Sequence, residues 1–82
     1  MPGFTIYPDG EGLVVRADVK GLNPDDVHRA GFIIDIETSL PGANPAKPKE
    51  GVIERRLAPN ANTNFLTAQL GNLGLYPTQI SA

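Results

Sequence analysis

Neither cysteine nor tryptophan occurs in these 82 residues, and there is a single histidine. Without cysteine there can be no disulfide, thiolate zinc site, thiol nucleophile or iron–sulfur ligation. The redox compartment stays open, since a chain without thiols is stable in either environment. His28 alone makes a zinc site improbable, because only carboxylates could complete the ligand set. A long apolar run is also missing, so no segment is expected to cross a bilayer. The opening Met1-Pro2-Gly3-Phe4-Thr5 has neither the basic leader nor the apolar stretch of a signal peptide. An excess of positive charge is lacking too. Seven Lys and Arg stand against nine Asp and Glu, for a net charge of −2. The only close basic groupings are Lys47/Lys49 and Arg55/Arg56, and the few aromatics lie mostly away from them. Nucleic-acid binding needs a basic patch with stacking aromatics, so no nucleic acid is expected as a partner.

What is present describes a small folded unit. Hydrophobic residues make up 40% and charged residues 20%, ordinary for a globular domain and unlike a disordered one. A chain of this length buries only about 60% of its unfolded surface. Small domains compensate with disulfides, a metal or a partner surface; here the partner surface is left open. Nine Gly and eight Pro form about a fifth of the chain, a density that favours short strands and turns over long helices.

Alternation of apolar and polar residues marks the strands. Residues 4–7 read as a first strand, and Asp9-Gly10 supplies a hairpin turn. Residues 13–19 are the clearest strand, with Leu13, Val15, Ala17 and Val19 on one face. Asn23 suits a helix N-cap, Pro24 a first helical position and Gly31 a C-terminus, which predicts a short helix over residues 24–29. Phe32, Ile34 and Ile36 alternate with Ile33, Asp35 and Glu37 as a further strand. Pro41, Pro45 and Pro48 make residues 39–51 an extended loop. Residues 52–57 read as a strand with Ile53 and Leu57 inward. For residues 65–70 strand is preferred to helix, although Leu66, Leu70 and Leu73 also fit a helical stripe. The expected fold is therefore all-β: a small antiparallel sandwich or open barrel of five or six short strands, with one short helix. Residues 1–70 would form the compact domain and residues 71–82 an extended C-terminal segment. Such patterning is generic to small sandwiches and barrels, and antibody-type domains are set aside for want of their cysteine and tryptophan.

Each candidate for chemistry has a plainer explanation. Asp9-Gly10-Glu11 resembles part of a calcium loop but lacks the ligand series and closing glutamate, so it reads as a turn. Asp25-Asp26 suits a helix start. Asp35 and Glu37 would project from one strand face and meet Arg16 in an exposed ion pair, and Arg55-Arg56 would point to opposite faces of a strand. His28 has no hydroxyl nucleophile in a suitable setting and reads as structural. The glycines form no phosphate-binding motif. No catalytic, cofactor-binding or metal-binding residue is assigned, and no cofactor is expected.

The expected function is that of a non-enzymatic structural or assembly protein, a small subunit of a larger particle such as a virus or phage capsid-decorating or connector subunit. Its location would be the virion or, failing that, the cytoplasm, and its partners proteins: itself or a larger assembly. The contact residues would be Leu73, Leu75, Tyr76 and Ile80 in an attachment arm, with Pro45, Lys47 and Lys49 in the proline-rich loop. The alternative is a stand-alone recognition module that binds a protein, peptide or glycan through its loops.

Overall fold

In a computed structural model the described residues are 2–39 and 50–78. They form one mixed four-stranded sheet and two helices, in the order β1 (Gly3–Asp9), β2 (Gly12–Asp18), α1 (Pro24–Ile36), β3 (Val52–Arg56), α2 (Thr63–Asn72) and β4 (Tyr76–Pro77). This α/β architecture replaces the all-β sandwich of five or six strands. The strand order is β3-β2-β1-β4, with β1 antiparallel to β2, β2 antiparallel to β3, and β4 parallel to β1.

The hairpin forms where the sequence places it. Asp9 pairs with Gly12, and Gly10 takes a φ of 64° at the first central position of the turn while Glu11 keeps a negative φ, the type II′ pattern. The largest corrections concern the helices. Asn23 does cap α1, its side-chain oxygen accepting from the Asp26 amide at 2.9 Å. The helix then continues through Gly31 for 13 residues, instead of ending near residue 29. Glycine inside a helix costs about 1 kcal/mol but does not stop it. Val27, Ala30 and Ile34 carry the inward stripe past it at spacings of three and four, and the last two are fully buried. The packing does not demand a glycine here: a Cβ on Gly31 would lie 3.8 Å from Ile53 Cδ1, an ordinary contact. The expected strand over Phe32, Ile34 and Ile36 is thus the second half of α1.

Likewise residues 65–70 are helix, not strand. The Asn62 side chain accepts from the Phe65 amide at 2.9 Å and starts α2, and Leu66 and Leu70 fall one turn apart in the core. Removing this cap with Asn62→Ala is expected to lower stability by about 1 kcal/mol, read from the denaturant midpoint of unfolding.

Register assigns the two faces of the sheet. Phe4 opposes Ala17, Ile6 opposes Val15, and Ala17 opposes Ile53. These residues face the helices and share one cluster with Ala30, Ile34, Leu66, Leu70 and Leu75. On the opposite face Val14, only 6% exposed, sits in register between Tyr7 and Arg56. Leu13, expected inward with Val15, is instead 38% exposed.

Beyond Ile36, the Glu37 carboxylate accepts from the Asn62 amide, and the Ala58 amide donates to the Glu37 carbonyl. These bonds tie the end of α1 to the start of α2, so the helices lie antiparallel over one face of the sheet.

Candidate interaction surface

Each of the three arginines on the sheet meets an acidic side chain. Arg16 reaches Glu54 at 4.0 Å, and Arg56 contacts Asp9 at 2.6 Å, on the face away from the helices. Arg55 turns to the helical side and meets Asp35 at 3.2 Å. Adjacent arginines on opposite faces thus end in two ion pairs. The expected pairing of Arg16 with Asp35 or Glu37 does not form, because those acids belong to α1 and its cap, not to a strand. All three pairs are at least partly exposed, and such contacts contribute little to stability.

The outer face of the helical layer is built differently. On α1, Phe32 lies at the helical position opposite the Ala30–Ile34 stripe, where a water-facing helix normally carries polar groups. It is 66% exposed, and Ile36, one turn on, is 55% exposed. On α2 the corresponding face holds Phe65 (40% exposed) and the exposed Ala68 and Asn72. That helix, TNFLTAQLGN, contains no charged residue. A groove between the helices brings His28, Arg29, Phe32 and Ile33 of α1 opposite Gln69, Asn72 and Leu73. Clustered large apolar side chains of this kind mark interaction sites, whereas isolated ones do not.

Of the residues assigned from sequence, Leu73 lines this groove. Leu75 is fully buried in the core, and Leu73 is half-buried against it. Tyr76 in β4 is 63% exposed, its ring lies beside Gly71, and it does not line the groove. Ile80, Pro45, Lys47 and Lys49 lie outside the described residues. Phe32, Ile36 and Phe65, the exposed large apolar residues of this face, were not among those named from sequence. Their signal was present: read with a helical period, residues 27–36 put Val27, Ala30 and Ile34 on one side and strand Phe32 and Ile36 on the other.

His28 is exposed at the rim of the groove. Asp25 and Asp26 stand in the first turn of α1, where the helix dipole favours anions, and the Asp26 amide and carboxylate both bond to Asn23. Among the described residues no group of three or more His, Asp or Glu is placed to hold a metal ion, and no helix is long and apolar enough to cross a membrane. No protein-family model matches the chain, and neither does any curated protein or solved structure.

Proposed function

We propose that this chain is a non-enzymatic assembly subunit, a small structural component of a larger particle, which attaches through the outer face of its two helices. A capsid-decorating or connector subunit of a virion is the concrete instance of that class. The observation that carries the reading is the exposure of Phe32, Ile36 and Phe65 together on the outer face of the helical layer, where α2 carries no charge and Arg29 of α1 is exposed beside the groove. Fully burying each such side chain is worth roughly 1.5–3 kcal/mol, and about half of that gain is left for a partner to supply. The sheet's outer face supports the contrast, since ion pairs and Tyr7 already flank its one buried valine.

The reading is tested with the double variant Phe32→Ser, Ile36→Ser, expressed in the native source. The unaltered chain is expected to sediment with a particle far heavier than itself, and the variant to remain free while melting as the unaltered chain does. If the variant stays with the particle, the helical face is not the attachment surface. If the unaltered chain is never found in a larger particle, the assembly role fails.

A further inference from the structure

We infer that the groove between α1 and α2 receives an amphipathic helix of another protein of the particle, one that carries a carboxylate where it passes Arg29. This rests on the proposal that the helical face is an attachment surface, and it names the chemistry of the partner.

The charge at the groove is of one sign. Arg29 is exposed and lines it, and no acidic residue does. Among the described residues Arg29 makes no ion pair, whereas Arg16, Arg55 and Arg56 each make one. Most acids of α1 and its cap are engaged elsewhere: Asp35 by Arg55, Asp26 by the Asn23 side chain, and Glu37 by the Asn62 amide. Asp25 stands one turn before Arg29, in the first turn of the helix, where the dipole favours it, and outside the groove. A chain with a net charge of −2 thus leaves a cation beside its exposed Phe32.

The apolar part of the face follows in order. Phe32 lies about 4.5 Å further along the axis of α1 than Arg29, and Ile36 about 10.5 Å. Phe65 of α2 continues it, because the bond from the Asn62 amide to Glu37 sets the start of α2 beside the end of α1. Arg29, Gln69 and Asn72 therefore mark a polar end and Ile36 and Phe65 an apolar one. A matching occupant has a carboxylate at one end and large apolar side chains three or four and then seven positions away.

Backbone chemistry selects a helix for that occupant. The main-chain groups along the middle of α1 and α2 are spent within the helices. An extended segment laid over them would bury N–H and C=O groups without partners. A helix arrives with its own backbone bonds made, and it fills such a groove with side chains three and four residues apart. A second copy of this chain is a poor match, since its own groove lining supplies no carboxylate. A bilayer surface is another, because it is held by a cluster of basic residues and Arg29 stands alone here.

The test uses two substitutions at one position, each expressed in the native source. Arg29→Glu leaves Phe32 and Ile36 in place but sets like charges together, and should weaken attachment to the particle at least about tenfold. Arg29→Lys should stay attached and place an amine beside the partner's carboxylate. A water-soluble carbodiimide then joins the two as an amide, itself taking up the water that is lost. Mass spectrometry of the digest should return a link at position 29 to an Asp or Glu of another protein, with apolar residues at the spacing given above. The inference is overturned if Arg29→Glu sediments with the particle as the unaltered chain does. It is equally overturned if position 29 links only to Asp25 of its own chain, to another copy, to a segment without that spacing, or to nothing. If Arg29→Glu stays bound while Phe32→Ser, Ile36→Ser is released, the acidic helix is wrong and attachment through this face stands. If both variants stay bound, both proposals fail.

Discussion

Deleting residues 73–82 is expected to leave the chain unfolded, not a folded domain that has lost a binding arm. Leu75 is fully buried, its amide donates to the Leu70 carbonyl at 3.0 Å, and it packs in the cluster that holds Phe4, Leu66 and Leu70. The deletion also strips β4 from β1, including the bond from the Thr78 amide to the Phe4 carbonyl at 2.7 Å. Losing a buried leucine to alanine costs about 2–5 kcal/mol before any backbone is removed. Domains have only about 5–15 kcal/mol in all, and small ones sit low in that range. Far-ultraviolet circular dichroism of the truncated chain should therefore show a disordered spectrum, and Leu75→Ala in the full chain should lower stability by about 2–5 kcal/mol. A truncated chain that melts cooperatively near the temperature of the full one would show that the segment is dispensable after all.

The second large effect separates two isoleucines that stand two positions apart. Ile34→Ala is expected to cost about 2–5 kcal/mol, whereas Ile36→Ala should stay within about 0.5 kcal/mol of the unaltered chain. Ile34 is 0% exposed at the centre of the core and Ile36 is 55% exposed. On a strand the two would share a face and lose similar amounts. On a helix they are some 200° apart, and one is inside while the other faces water. Equal losses in urea unfolding would contradict the helix over this segment.

That pair also shows why the fold was only partly legible. The β1–β2 hairpin could be read because its turn chemistry and its alternation agree: Gly10 has the positive φ that a two-residue loop demands, and Val15, Ala17 and Val19 are buried. The start of α1 could be read because Asn23 and Pro24 are local signals that need no tertiary context. Its length could not. Phe32-Ile33-Ile34-Asp35-Ile36 contains β-branched residues in alternation, and Gly31 sits where a helix often stops. The choice between periods was made by long-range packing of Ala30 and Ile34 against the sheet. The same holds for residues 65–70, where Leu66 and Leu70 satisfy either period in so short a run. Once those two segments are read as strands, Phe32 and Phe65 pass for ordinary core candidates. The exposed apolar face therefore went unseen with the helices, and of the described residues named from sequence only Leu73 lies on its groove.

The strand order carries a kinetic consequence. β1 pairs on one side with β2, which follows it directly, and on the other with β4, which lies about 70 residues further along the chain. The hairpin can close early, because its loop is short and little entropy is lost. Closure of β4 onto β1 joins distant parts of the chain and belongs among the late, slow events. Until then the outer edge of β1 at Gly3 and Phe4 keeps its backbone groups unpaired, the condition under which edges recruit strands from other molecules. Substitutions in β4 and at Leu75 should accordingly act mostly by speeding unfolding, and those in the hairpin by slowing folding.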